Sequence, residues 1–246
     1  TVKSLALAKG LPFVGVNHLE GHLLAPFLRD KDYAPPADFT YPFVALAVSG
    51  GHSSLYRVKA FGDYEVLGRT VDDAAGEAFD KFAKMVGLGF PGGVKVDKLG
   101  ATGDTTRYEF PRAMIHEDTL NMSFSGLKTA AQNKVQEIGF ENVEKNLNDL
   151  CASYQEAIVD VLLLKLERAV QKTGLKKVVI TGGVSANSRL RAKGQEWASR
   201  AGIQLVIPPL RYCTDNAAMI GYAGIQRLNL GERADFELGV SPEMTL

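Results

Sequence analysis

The sequence is poor in cysteine and has neither a net charge nor a long apolar run. Two cysteines in 246 residues, Cys151 and Cys213, exclude a disulfide framework and predict a reducing compartment. We expect both to be buried small hydrophobes rather than reactive thiols. Because 28 basic and 28 acidic side chains cancel, no overall field attracts nucleic acid or an anionic membrane. Any contact with RNA must therefore use a local patch or a partner protein.

The longest apolar runs, residues 43–48 and 159–166, are far shorter than the roughly 20 residues of a membrane-spanning helix. The first ten residues have the pattern of the end of an amphipathic helix closed by Gly10, not of a signal peptide. We therefore expect a soluble protein whose sequence begins inside a structural element. Its expected location is the cytoplasm, or the mitochondrion if the source is a eukaryote.

Strand and helix signals are interspersed along the chain, with a proline-rich loop or lobe boundary at residues 31–42. Residues 103–124 show no sustained period and predict an irregular segment. We predict strands at residues 12–16, 43–48, 54–58, 177–180 and 204–207. We predict helices at residues 18–28, 72–86, 125–134, 150–172, 188–201 and 215–228.

Two histidines, His18 and His22, are four residues apart in a predicted helix. This spacing places both imidazoles on one face, where they can bind one metal ion if a third ligand comes from elsewhere. The alternative is a pair of helix histidines with no ligand role. A zinc protease requires H-E-x-x-H, whereas Glu20 is at i+2, about 200° around the helix from His18, and cannot act as the base.

Two glycine-rich turns are candidates for binding an anion. Residues 49–53 join two predicted strands, and their backbone N–H groups can point together at an anionic oxygen, or they form only a hairpin turn. Residues 181–185 lie between a buried strand and a helix, whose N-terminal amides attract a phosphate or nucleotide. The alternative for that segment is the tight turn of any α/β protein.

Carboxylates cluster at two predicted helix starts. Residues 72–80 contain four, and a solvated helix N-terminus explains most of that charge. Asp215 follows a Pro-Pro break and either caps the next helix or ligates a metal. Basic residues are spread loosely over the middle third, so most are expected on the solvated surface and a minority against RNA phosphates.

Seven segments, taken in order, resemble the TsaD/OSGEP family. They are NHLEGH (17–22), VSGGH (48–52), DDAAGEAFDK (72–81), PGG (91–93), NMSFSGLK (121–128), TGGVSAN (181–187) and CTDNAAM (213–219). The resemblance spans residues 6 to about 221. It implies the α/β actin/hexokinase-like (ASKHA) fold, in which a metal and an adenine nucleotide lie between two lobes.

Members of that family begin with a strand and an acidic phosphate-loop segment, and neither occurs in this sequence. We therefore expect the N-terminal part of the first lobe to be lacking. The remainder of that lobe would be residues 1–38, joined by the C-terminal helix at 213–246. The second lobe would be residues 39–212.

The resemblance also implies the ligands. His18, His22 and Asp215 would hold one divalent metal per subunit, iron first, with zinc or magnesium as alternatives. No side chain is assigned as catalytic. The site for ATP or threonylcarbamoyl-AMP would be formed by nine residues: Val48, Ser49, Gly50, Gly51, His52, Asp80, Gly93, Asp97 and Asn187.

The family transfers a threonylcarbamoyl group from threonylcarbamoyl-AMP to N6 of adenosine 37 in tRNAs that read codons beginning with A. The resemblance therefore implies that tRNA and threonylcarbamoyl-AMP are partners and that a membrane is not. In a bacterium a TsaB-like paralogue and a TsaE-like ATPase would join them, whereas an organellar protein would form a homodimer. Two other functions stay open: a small-molecule kinase of the same fold, and a catalytically weak scaffold paralogue.

Overall fold

A computed structural model describes residues 1–241 and residue 246 of the chain. The helices are α1 (Val2–Lys9), α2 (His18–Leu24), α3 (Ala75–Met85), α4 (Gly92–Gly100), α5 (Ser125–Ile138), α6 (Leu147–Thr173), α7 (Ser188–Ala201), α8 (Leu210–Cys213) and α9 (Ala217–Asn229). The strands are β1 (Phe43–Val48), β2 (Ser53–Ala60), β3 (Asp63–Arg69), β4 (Lys177–Thr181) and β5 (Gln204–Val206). Among these described helices, none has both the length and the apolar character needed to cross a bilayer.

The strands form one mixed sheet in the order β3-β2-β1-β4-β5. β1, β2 and β3 are antiparallel neighbours, whereas β4 pairs in parallel with both β1 and β5. In the parallel register Ala47 of β1 is opposite Thr181 of β4, so both strands end at the same edge of the sheet. The two glycine-rich turns that follow these strands are therefore brought side by side.

All six residues of β1 are buried, because layers of helix cover both faces of the sheet. Val44, Leu46 and Val48 pack in the larger core, which includes α3 and the 27-residue helix α6. Alternate residues such as Phe43 and Ala45 pack in a second core with Leu23 of α2. The helix that carries both histidines is thus fixed against the sheet.

The segment 103–124 is irregular, as predicted, and α6 holds it in place. The buried ammonium of Lys165 donates hydrogen bonds to the carbonyls of Met114 and Thr119, both at 2.6 Å. Burial lowers the pKa of Lys165, and these carbonyls replace the water that the charge has lost. A charged side chain thereby secures a segment that has no regular hydrogen-bond pattern.

The structure differs from the predicted local structure in two predicted elements and also contains elements that were not predicted. Residues 12–16 form no strand in the described chain; the carbonyl of Phe13 accepts from Ala234 N instead of from a neighbouring strand. Strand β3 and helix α4 were not predicted, and α4 begins inside the Pro-Gly-Gly segment interpreted as a turn. The helix predicted from residue 72 begins at Ala75, because Asp72 instead accepts hydrogen bonds from the backbone N–H groups of Phe124 and Ser125 at the start of α5.

Candidate metal and nucleotide site

Helix α2 is positioned by contacts at both of its ends. The side chain of Asn17 accepts a hydrogen bond from Leu19 N at 2.8 Å and so caps the N-terminus. At the other end, Thr181 Oγ1 of β4 donates to the carbonyl of His22 at 2.8 Å. Gly21 allows α9 to approach closely, since a Cβ there would lie 3.1 Å from the side chain of Met219. These contacts set the direction in which the two imidazoles point.

His18, His22 and Asp215 converge, and they form a cluster of possible metal ligands in the described residues. The Nε2 atoms of both histidines lie 3.1 Å from Oδ1 of Asp215. The His22 side chain is 2% exposed, whereas those of His18 and Asp215 are 50% and 76% exposed. The cluster therefore has one buried wall and one side open to a ligand.

The electrostatics favour a neutral His22. Burial lowers the pKa of His22, and the neighbouring charge of His18 lowers it further, whereas Asp215 acts in the opposite direction. The neutral imidazole is the form that binds a metal. The neighbouring charge of His52 also lowers the pKa of His22.

Asp215 does not cap the helix that follows it. Helix α9 begins at Ala217, and Asn216 is its cap, with a side chain that accepts from Met219 N at 2.9 Å. The capping alternative from the sequence is therefore wrong. The Asp215 carboxylate faces the two histidines instead.

Glu20, the acid between the histidines, points away from them. It is fully buried, accepts a hydrogen bond from Tyr64 OH at 2.7 Å, and pairs through both oxygens with Arg227 at 2.6 and 2.9 Å. Its role in this structure is to join α2 to β3 and α9. A carboxylate held in this way is not available as a base beside a metal.

The turns after β1 and β4 are in direct contact. A Cβ on Gly182, whose φ is +89°, would lie 2.4 Å from the carbonyl oxygen of Val48. Helix α3 begins against the same turn, since a Cβ on Gly76 would lie 2.5 Å from the carbonyl oxygen of Ser49. No larger residue fits at either position without moving the turn.

A cavity of about 500 Å³ opens at this edge of the sheet. Both turns contribute to it, through Gly50 and Gly183, and Thr214 extends the lining to the residue next to Asp215. The volume lies in the range of cavities that hold small ligands. Its further lining residues are Gly76, Phe79, Asp80, Pro91, Gly93, Val94, Asp97, Val184, Ala186, Asn187 and Leu210.

Five of the nine residues predicted to bind the substrate or nucleotide line this cavity: Gly50, Asp80, Gly93, Asp97 and Asn187. The other four, Val48, Ser49, Gly51 and His52, do not. Val48 is a core side chain, and Ser49 Oγ accepts a hydrogen bond from His52 N within the turn. The apolar lining side chains Phe79, Val94 and Leu210 were not predicted, because no polar motif marks them.

Three polar residues of the cavity also stabilise the surrounding structure. Asp80 accepts from Gly92 N at 2.7 Å, and Asp97 accepts from Ser188 N and Oγ. Asn187 caps α7 through Leu190 N, and its amide N–H donates to Gln155. These bonds fix the positions of the three side chains, and they occupy part of the hydrogen-bonding capacity of each.

Comparison with solved structures places the chain in the actin/hexokinase-like fold. A full-length HypF crystallised in a phosphate- and nucleotide-bound form matches with a TM-score of 0.65 at 14% identity, over 93% of this chain and 38% of that one. The activator of 2-hydroxyisocaproyl-CoA dehydratase from Clostridium difficile, solved with bound ADPNP, matches with a TM-score of 0.50 at 15% identity, over 89% and 71% of the two chains. At these identities the likeness concerns the fold alone.

Comparison of sequences identifies the family. The chain is 64% identical to the tRNA N6-adenosine threonylcarbamoyltransferase of Bdellovibrio bacteriovorus over 99% of its own length and 70% of that protein. It is 51% identical to the enzyme of the same name from Geobacter sp., over 98% of this chain and 68% of that protein. The model of the TsaD family, tRNA N6-adenosine threonylcarbamoyltransferase, matches residues 1–222. The chain therefore belongs to the TsaD family.

Proposed function

We propose that the protein transfers a threonylcarbamoyl group from threonylcarbamoyl-AMP to N6 of adenosine 37 in tRNAs that read codons beginning with A. Family membership supports the reaction, and one structural observation supports its location. A nucleotide-sized cavity, flanked by two glycine turns, adjoins the cluster of His18, His22 and Asp215 through Thr214. Donor nucleotide and metal would therefore occupy one continuous site.

The donor atoms of this cluster fit a divalent metal. One ring nitrogen of each histidine and one carboxylate oxygen of Asp215 lie within 4.8 Å of one another, which is compatible with bonds of about 2 Å from each atom to one ion. Two imidazole nitrogens and one carboxylate oxygen are a donor set typical of non-haem iron and also suited to zinc, whereas magnesium prefers oxygen donors. We propose that iron is the metal bound, with zinc or magnesium as the alternatives. When bound, the metal would polarise phosphate or carbonyl oxygens of the donor.

The chain's own residues would bind and orient the reactants. The amine of adenosine attacks the carbamoyl carbon, the bond from that carbon to the phosphate oxygen breaks, and AMP leaves with that oxygen. The amine loses one proton to solvent in the same reaction. Because the donor is already activated as a mixed anhydride, positioning and stabilisation of developing negative charge are sufficient. We propose that the backbone N–H groups at Gly50 and Gly51 provide that stabilisation, and that the carboxylate of Asp80 or Asp97 accepts a hydrogen bond from a ribose hydroxyl.

We propose that no cysteine forms a covalent intermediate. Cys213 is fully buried; its thiol donates to the carbonyl of Pro208, and Arg191 donates to its sulfur at 2.9 Å. Burial raises the pKa of Cys151 to about 12, which keeps that thiol protonated. Neither sulfur lines the cavity. These surroundings support packing roles for both.

The other candidate functions have less support. A small-molecule kinase of this fold has no need of the paired histidines, and a degenerate scaffold would be expected to have lost metal ligands that are all present here. The bacterial relatives favour a TsaB-like paralogue and a TsaE-like ATPase as partners over an organellar homodimer, and the cytoplasm as location. We also propose a first lobe of residues 1–38 with 213–246 and a second lobe of residues 39–212. Residues 242–245 lie outside the described residues, and the helix predicted over 213–246 is limited to α9, which ends at Asn229. The division is supported by the packing of α9 against α2.

The test is transfer to an unmodified tRNA from preformed threonylcarbamoyl-AMP, with the proposed partner proteins present. Replacing His18 with Ala should lower the rate on the order of a hundredfold, since one stabilising contact in the transition state is lost. Replacing Cys213 with Ser should leave transfer close to wild type. The reverse pattern, together with a trapped thioester on Cys213, would contradict the mechanism.

A further inference from the structure

Phe90 is 81% exposed and is the most exposed phenylalanine in residues 1–241. A single exposed apolar side chain is common on protein surfaces and needs no explanation by itself. Phe90 differs because of its position: the residues that follow it, Pro91, Gly93 and Val94, line the cavity. Phe90 is therefore carried by the turn that forms one rim of the cavity.

The backbone that carries Phe90 is held firmly. Two residues further on, Gly92 N donates to Asp80 Oδ1 at 2.7 Å. Gly92 also packs so closely against α3 that a Cβ there would lie 2.5 Å from the Cβ of Ala83. The exposed ring is thus presented by a fixed turn.

Positive charge lies beside the turn that carries the ring. Lys95 and Lys98 are three residues apart on α4, a spacing that places both on the same side of the helix, and both are exposed. Lys95 Nζ donates to the carbonyl of Leu88 at 2.5 Å, which holds this ammonium beside the turn. Lys98 has no ion-pair partner within the described residues.

The two acids of the cavity lining form no ion pair with these lysines in the described residues. Asp80 and Asp97 line the cavity, where their carboxylates accept hydrogen bonds from Gly92 and Ser188. In a chain with no net charge, this is a local basic patch beside an exposed aromatic ring. Stacking surfaces combined with cations are the features that bind unpaired nucleotides.

We propose that Phe90 is a stacking platform for an unpaired base of the tRNA substrate that flanks the acceptor adenosine, and that Lys95 and Lys98 bind the adjoining phosphates. This inference rests on the proposed function, because only an RNA substrate places unpaired bases at this rim. As the acceptor adenosine turns out of its stack toward the donor in the cavity, a neighbouring base is left without its stacking partner. The ring of Phe90 offers a replacement, and every base has a face that can stack on it.

The experiment measures the affinity of the protein for an unmodified anticodon stem-loop that carries 2-aminopurine beside adenosine 37. Phe90→Ala should weaken binding between about fivefold and a hundredfold and reduce the quenching of 2-aminopurine, whereas Phe90→Tyr should retain both. In the transfer assay, Phe90→Ala should raise KM for tRNA and leave kcat at saturating tRNA unchanged. Binding of an ATP analogue should not change.

The chain offers a matched control at Phe140, which is 69% exposed and is followed by exposed Lys145. This pair does not line the cavity. Phe140→Ala and Lys145→Ala should leave tRNA affinity unchanged. Lys98→Ala should lower the slope of log K against log salt by about 0.7, as expected for the loss of one single-strand phosphate contact.

The outcomes separate this inference from the proposed function. If the wild type transfers threonylcarbamoyl to tRNA and Phe90→Ala has the same stem-loop affinity and KM, the platform is wrong and the function stands. If Phe90→Ala instead abolishes binding of a partner protein and leaves stem-loop affinity unchanged, the surface is a protein-docking site and the inference is also overturned. If the wild type neither binds nor modifies tRNA, the proposed function and the platform fall together.

Discussion

Replacing Glu20 with Ala should destabilise the protein through the helix that carries both histidines. Glu20 is fully buried, and its carboxylate is paired with Arg227 and bonded by Tyr64. The hydrogen bonds that Arg227 donates to Glu20 raise the pKa of Arg227, so the arginine is charged at any ordinary pH. The substitution therefore removes the buried acceptor of the Arg227 cation and the acceptor of the Tyr64 hydroxyl.

The expected loss of unfolding free energy is about 3 kcal/mol. Removing one partner of a buried ion pair typically costs 3–5 kcal/mol. The lower end applies here because the Arg227 side chain is 22% exposed and also pairs with Glu232 at 2.8 Å, so it keeps one partner and some water. Glu232→Ala is the matched control. It removes the exposed partner of the same arginine and should cost at most about 0.5 kcal/mol.

Urea unfolding of the wild type and both variants, followed by tryptophan fluorescence and circular dichroism, provides the measurement. The midpoint should fall clearly for Glu20→Ala and hardly move for Glu232→Ala, with similar m-values for all three proteins. A loss below about 1 kcal/mol for Glu20→Ala, or equal losses for the two variants, would refute the reasoning that this buried pair fixes α2.

Three further predictions concern the turn, the acid sensitivity and the metal. Gly76→Ala should abolish binding of an ATP analogue, because the added Cβ would displace Ser49. Gly51→Ala should retain binding, because its Cβ would meet no described atom within 4 Å. Calorimetric titration with the ATP analogue distinguishes the two variants. Burial raises the pKa of Asp72, but the hydrogen bonds that residues 123–125 donate to its carboxylate outweigh burial and hold the pKa below its ordinary value of 3.8. The ionised carboxylate therefore stabilises the folded protein above pH 3.8, and this stabilisation is lost as the pH falls through the folded-state pKa. Asp72→Asn should therefore lower the free energy of unfolding in urea by about 1 kcal/mol at pH 7 and by progressively less below pH 4. An equal loss at pH 7 and below pH 4 would contradict this prediction. Chelator treatment should abolish transfer, and titration of the stripped protein with Zn²⁺ should give one site per chain that His22→Ala removes.

Local sequence signals predicted most of the helices, because their limits are set by neighbouring residues. Helix α7 was predicted with the observed bounds, and Gly174 ends α6 with a φ of +69° as a C-terminal glycine should. Helix α4 was missed, since Pro91-Gly92-Gly93 has the composition of a turn. Only the close packing of Gly92 against α3 shows why glycine is required at a helix start.

The candidate site was predicted in part. Spacing alone placed His18 and His22 on one face of a helix, whereas their proximity to Asp215, 193 residues after His22, could be predicted only from the family resemblance. The apolar lining of the cavity could not be predicted, because Phe79 and Leu210 have no distinguishing pattern before the chain folds. Asp72 was likewise interpreted as a solvated charge, since its partners at residues 123–125 are distant in sequence.

Formation of N6-threonylcarbamoyladenosine in tRNA should depend on this protein and on its cluster of His18, His22 and Asp215. The most direct measurement is mass-spectrometric nucleoside analysis of tRNA from bacteria depleted of their own enzyme and supplied with this protein or with its Asp215→Ala variant. We predict that the modified nucleoside returns with the wild type and is absent with the variant, both proteins being folded and equally abundant. Absence of the modified nucleoside with the wild type would show that the protein does not catalyse this transfer, and full recovery with Asp215→Ala would show that the cluster is not needed.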